Sequence, residues 1–179
     1  MNDMELAQTF WSAIRTYKPE LDIQPGISAV EQEQLRAMGV PESWIQWLGA
    51  GTVRDEVYLV GGSMAPLSPE QIGSEKQMMD ELKAEQPALK WQIGWIPLGT
   101  NYSGQYLCLD PEGSLAGCPG GIVYYDEYET RYEFASIGHM LRFMCFAAEH
   151  HWLDADDASD QLAELYGEVS GVSAVSRFC

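Results

Sequence analysis

Three β-rich runs in the second half of the chain, WQIGWIPLG, QYLCLDP and GIVYYDEYE, are separated only by Asn-Tyr-Ser-Gly and by a Gly/Pro loop over residues 113–121. Connections this short join strands that lie side by side, so the runs predict an antiparallel meander. RYEF adds a further short strand. Residues 137–150 then place Met140, Leu141, Met144 and Cys145 on one helical stripe, which predicts a helix packed on the sheet.

Ahead of the sheet the period is helical. Leu6, Phe10, Trp11 and Ile14 recur at helical spacing and predict a first helix over Asp3–Tyr17, ending before Pro19. Ser28 followed by Glu31 has the spacing of a capping box, opening a helix AVEQEQLRAMG that stops at Gly39. Pro41 starts PESWIQWLG, a short helix apolar on most of its surface. VYLVGG then reads as a short strand, SMAPLSPEQ as a loop, and IGSEKQMMDELKAEQ as a helix that ends before Pro87. The tail LDADDASDQLAELYGEVSG has an acidic entry followed by Leu162, Leu165 and Tyr166 at helical spacing, predicting a terminal helix. With 179 residues, 46% of them hydrophobic, the chain has the size and apolar content for one self-standing core. The expected fold is α+β, a mostly antiparallel sheet flanked by helices in a single domain.

Ten basic residues against 27 acidic ones leave a formal charge of -17. Such a chain repels phosphate backbones and anionic headgroups, which argues against direct nucleic-acid or membrane partners and favours basic ones. A solubilising surface and a functional acidic face are both consistent with it. The opening residues lack the basic start and apolar run of an export signal, and no run of about 20 apolar residues occurs, so a cytoplasmic location is expected. Cys108, Cys118, Cys145 and Cys179 form no CxxC pair and read as reduced thiols; a Cys108–Cys118 bridge across a hairpin is sterically conceivable.

Catalytic signatures are scarce. His139, His150 and His151 stand in no HExxH-like spacing, and adjacent histidines on a helix point about 100° apart, so His150 and His151 read as a solvated helix end. The acidic run from Asp154 resembles a calcium loop, but its sixth position is Ser159 where glycine is wanted and its twelfth is Leu165 where a bidentate Glu is required. Glycine pairs at Gly61–Gly62 and Gly120–Gly121 make neither GxGxxG nor a P-loop. Trp91, Trp95, Tyr102 and Tyr106 have the look of a sugar platform, but on alternating β runs they read as core. No cofactor and no metal is expected.

The order of these segments resembles the SUKH superfamily of bacterial toxin-immunity proteins and fungal cell-wall regulators. GISAVEQEQLRAMGVPESWIQWL is similar to that family's opening pair of helices. GWIPLG, QYLCLDP and GIVYYDEYE follow like its Trp-Ile-Pro strand, the next strand ending in Asp, and the strand after it; ASIGHMLRFM resembles its closing helix. Gly49, Ala50 and Gly51 replace the family's frequent Asn-Gly-Gly, and Ile137 its Ser-Phe aromatic. The resemblance covers residues 26–149 and implies a division into an N-terminal helix (1–25), a SUKH-like domain (26–151) and a C-terminal helix and tail packed on it (152–179). It also implies a binding scaffold without enzymatic chemistry: in bacteria an inhibitor of a cognate toxin, often a nuclease, and in fungi a regulatory interaction module. For the partner surface, Tyr125, Asp126, Glu127, Tyr128 and Glu129 alternate aromatics with carboxylates, the combination suited to a basic cleft. Asp154, Asp156 and Asp157 form a second candidate patch.

Overall fold

A computed structural model describes residues 2–53, 64–115 and 117–150. Its helices are α1 (Asp3–Tyr17), α2 (Ala29–Ala37), α3 (Glu42–Ala50), α4 (Pro69–Glu85) and α5 (Ile137–Glu149). Its strands are β1 (Ile23–Gln24), β2 (Thr52–Val53), β3 (Ala65–Pro66), β4 (Ile96–Thr100), β5 (Tyr106–Asp110), β6 (Gly121–Tyr125) and β7 (Thr130–Phe134). The run VYLVGG and the predicted terminal helix lie outside the described residues.

Local chemistry accounts for the helix ends. Ser28 Oγ accepts from the Glu31 N–H at 3.3 Å while the Glu31 carboxylate accepts from the Ser28 N–H at 2.7 Å, the reciprocal box its spacing predicts. Asn2 with Glu5 caps α1 in the same way. Helix α4 begins three residues earlier than its periodicity suggests, because Ser68 caps it, Pro69 opens it and Gln71 reaches back to the Ser68 N–H at 2.9 Å.

The main sheet runs β3-β4-β5-β6-β7, each neighbour antiparallel, which is the predicted meander. Two boundaries differ from expectation. Residues 65 and 66, read as loop, form the edge strand that pairs Ala65 with Thr100. Trp91 and Trp95, read as strand, sit ahead of β4 in a turn where Gly94 has φ +107°. β1 and β2 make a separate two-stranded ribbon, Ile23 opposite Val53.

Both faces of the sheet are covered. On one, Leu107, Leu109, Ile122 and Phe134 meet Phe10, Trp11, Trp44, Trp47 and the apolar stripe of α5. Trp44 stacks on Trp47 with centroids 4.7 Å apart, and the Trp11 indole donates to the Trp47 carbonyl at 2.9 Å. Helix α1 packs against α3 and α5, so it belongs to this core. Gly26 lies so close to Gly49 that a Cβ would stand 1.9 Å from the Gly49 carbonyl oxygen, and the loop ahead of α2 is thereby pressed on α3. On the other face, Trp91, Trp95, Tyr106, Cys108, Val123, Tyr125 and Tyr132 pack beneath Met79 of α4. A register shift at the β6–β7 pairing lets Tyr132 face one core and Phe134 the other.

Candidate partner-binding site

The five clustered candidates fall on the hairpin that joins β6 to β7, and alternation along β6 splits them between core and surface. Tyr125 is 3% exposed and packs edge-on to Trp91 at 5.5 Å and to Trp95 at 6.2 Å. It is a core residue and not the exposed anchor expected of it; burial pushes its hydroxyl above the ordinary range. Strand β6 also ends there, so residues 126–129 form the turn of the hairpin rather than more strand.

Asp126 builds that turn. Its N–H donates to the Glu129 carbonyl at 2.8 Å, and its carboxylate accepts from the N–H groups of Tyr128 and Glu129 and from the Tyr124 hydroxyl at 3.2 Å. The Glu129 N–H above all, with those of its neighbours and the nearby Lys90 ammonium, holds the Asp126 carboxyl below the usual range against a smaller opposing effect of desolvation. Its charge is engaged inside the loop. The Lys90 ammonium, donating to the Tyr128 carbonyl, ties the tip to the segment before β4.

Outward from this frame stand Glu127, Tyr128 and Glu129. Tyr128 is 82% exposed, the largest value among the exposed apolar side chains of the described residues. Glu129 pairs with Arg131 at 2.7 Å, and Arg131 also pairs with Glu133 at 3.0 Å while its guanidinium lies 4.2 Å over the Tyr124 ring. Glu127 carries a carboxylate that takes part in none of the described ion pairs and acts only electrostatically on the Tyr125 hydroxyl. The tip is thus an aromatic ring beside one open carboxylate, on a turn held by at least five hydrogen bonds. Lys90, Arg131 and Glu133 are neighbours of this turn that the sequence did not suggest, Lys90 being 38 residues away from Tyr128. Asp154, Asp156 and Asp157 lie outside the described residues.

The remaining chemical candidates resolve into structural roles. Among the described residues no three His, Cys, Asp or Glu side chains are grouped to hold a metal. His150 caps α5, its ring 4.1 Å from that of Phe146, whereas His139 is buried beside Phe134; His151 lies outside the described residues. Trp91, Trp95 and Tyr106 are core, as read, and Tyr102 is half exposed on the β4–β5 turn. Cys108 and Cys145 are free buried thiols, raised by burial, Cys145 to about 12. The expectation of reduced thiols throughout is corrected at Cys118, which is disulfide-bonded, and a bridge to Cys108 is excluded because Cys108 is free.

The described residues thus join a helix pair, a five-stranded meander and a closing helix in one order, and a family model, SMI1 / KNR4 (SUKH-1), matches residues 27–142. The chain belongs to the SMI1 / KNR4 family. No curated protein matches it. The SMI1 / KNR4 match begins just before α2 and ends inside α5, so it takes in the candidate hairpin and leaves out α1, although α1 completes the core. Membership places the chain among immunity and regulatory proteins. Among the described residues no helix is long and apolar enough to cross a membrane.

Proposed function

We propose that this chain is a non-catalytic immunity protein that binds a cognate toxin acting in the cytoplasm, a nuclease or similar enzyme with a basic cleft, and occludes its active site. The observation that carries the reading is the β6–β7 tip inside the SMI1 / KNR4 span: an 82% exposed Tyr128 beside the open Glu127 carboxylate, on a turn already fixed by Asp126 and Lys90. An inhibitor needs a preorganised anchor and charge of the sign opposite to its target, and the formal charge of -17 supplies the second over the whole molecule. Basic clefts evolved for phosphate attract such a surface at long range. The protein acts inside the producing cell and needs no cofactor, nucleic acid or membrane.

Co-expression with the protein encoded beside this gene tests the proposal. Rescue of growth, together with binding of the purified pair at nanomolar to micromolar affinity, is expected. A neighbour that is neither toxic nor bound overturns it, and recovery of only a non-toxic cellular partner from the native host transfers the chain to the regulatory branch of the family.

A further inference from the structure

Two hollows of about 350 and 580 Å³ adjoin across Glu31 and Pro69, and together line a groove along α2 and the start of α4. At one end it is floored by Met38 and Gly73, at the other by Leu48, Leu67 and Trp47. Its charged lining residues are Glu31 and Glu70, and no described lysine or arginine lines either part.

Gly73 in its lining carries a backbone cost that packing does not explain, and Tyr102 is set in place by the β4–β5 turn. Gly73 lies inside α4, where glycine is unfavourable relative to alanine. A Cβ there would meet only the Met38 sulfur at 3.7 Å, an ordinary contact, so close helix packing does not require the glycine. The missing side chain keeps the groove open. At the other end Tyr102, with φ 59°, is the one non-glycine residue in the left-handed region among the described residues, and it sets a half-exposed ring beside the hollow.

We propose that this groove is a second interaction surface, distinct from the β6–β7 tip, which takes an extended cationic segment of a partner protein, its apolar side chains toward Met38 and Leu67 and its basic ones toward Glu31 and Glu70. The apolar floor supplies area, and the wholly acidic charged rim selects sign.

Panning a phage-displayed library of random dodecapeptides against the full chain tests this without knowledge of the natural partner. Enrichment of sequences mixing Arg or Lys with apolar residues is expected, and amide shifts on adding the synthetic peptide should centre on Met38, Gly73 and Tyr102. Gly73→Phe, which plugs the groove, should weaken that peptide by about tenfold or more, and Glu70→Lys by about threefold. Gly73→Ala adds a methyl group where there is room and favours the helix, so it should bind as the parent does; this separates plugging from misfolding. Failure to enrich, enrichment of acidic peptides, shifts centred on the β6–β7 tip, or equal binding by Gly73→Phe would each overturn the proposal. A dimer in sedimentation that Gly73→Phe dissolves would give the groove to a second copy and overturn it as well.

Discussion

The two cores on either side of the sheet are both rich in aromatic rings, yet they are held by different chemistry. In the helical core Trp44 and Trp47 stack with their indole Nε1 atoms buried and unpartnered, and the Trp11 indole donates to a backbone carbonyl, so adhesion there rests on apolar packing and a neutral hydrogen bond. In the opposite layer the large rings are tied by their polar ends. Trp91 donates to Asp80 at 2.8 Å, Trp95 to the Ser114 hydroxyl at 2.9 Å, Tyr106 to Glu75 at 2.7 Å and Tyr132 to Asp110 at 2.9 Å. Carboxylates anchor three of those four bonds. The contrast teaches that the tryptophan cluster of one face is sensitive chiefly to volume, while the other layer depends on charge. It is the second layer that holds Tyr125, and through it the candidate hairpin, in place.

The largest expected effect breaks the first core. Trp47→Ala removes a fully buried ring in contact with Phe10, Trp11 and Trp44, and should cost about 3–5 kcal/mol in urea unfolding. No described carboxylate is bonded to its indole, so the loss should be the same at pH 7 and pH 4. Equal or smaller loss than from any single change in the aromatic layer would contradict the division.

Next comes Asp110, the knot of that layer. It is 1% exposed and accepts from Ser114 Oγ, the Leu115 N–H and the Tyr132 hydroxyl. Burial pushes its carboxyl up, but the N–H groups of Ser114 and Leu115 and the two hydroxyls together hold it below the ordinary range. A carboxyl lowered on folding takes its proton more readily in the unfolded chain. Its contribution is therefore complete well above the unfolded value of about 3.9, and is lost as pH falls through the lower folded one. Asp110→Ala should cost about 1.5–3 kcal/mol at pH 7, and the gap from the parent should narrow steadily below pH 4. A gap independent of pH would show that Asp110 acts by shape alone.

This comparison also explains what was legible in the sequence. Helix ends were readable where the chemistry is local, as at Ser28 and Glu31, three residues apart. The meander was readable because short Gly-rich connections leave strands few alternatives. Alternation failed at Tyr125 for a definite reason: with both faces of the sheet covered, period two no longer distinguishes core from solvent, and Tyr124 and Tyr125 look alike. Trp91, Ile93 and Trp95 alternate like a strand, but the φ of +107° at Gly94 turns the chain there. Lys90 was invisible because its bond to the Tyr128 carbonyl spans 38 residues and involves no side-chain pattern at its target.

A smaller effect sharpens the same division. Tyr106→Phe deletes only the hydroxyl that donates to Glu75, leaving the ring against Trp91, and should cost about 1 kcal/mol. Because that hydroxyl is pushed well above its ordinary range, chiefly by burial and next by Glu75, it stays protonated and donating through neutral pH. A loss of several kcal/mol would mean that the layer relies on this bond far more than on its packing.

The smallest stability effect belongs to the hairpin tip, where the largest binding effect is proposed. Tyr128 is 82% exposed and its ring supports no core, so Tyr128→Ala should change stability by no more than about 0.5 kcal/mol. Glu127→Lys should be equally mild, since its carboxylate takes part in none of the described ion pairs and acts on Tyr125 only electrostatically. Asp126 is unsuited to the same purpose: its carboxylate accepts from Tyr128, Glu129 and Tyr124, so Asp126→Lys dismantles the turn and confounds folding with binding. Against the proposed toxin partner, Tyr128→Ala should raise the dissociation rate and weaken binding by about tenfold or more, as loss of a buried aromatic anchor does. Glu127→Lys should instead slow association, by an amount that shrinks as salt rises. If both variants fold as the parent does and bind it unchanged, the tip is only a well-made turn, and the aromatic layer that positions it serves stability and not recognition.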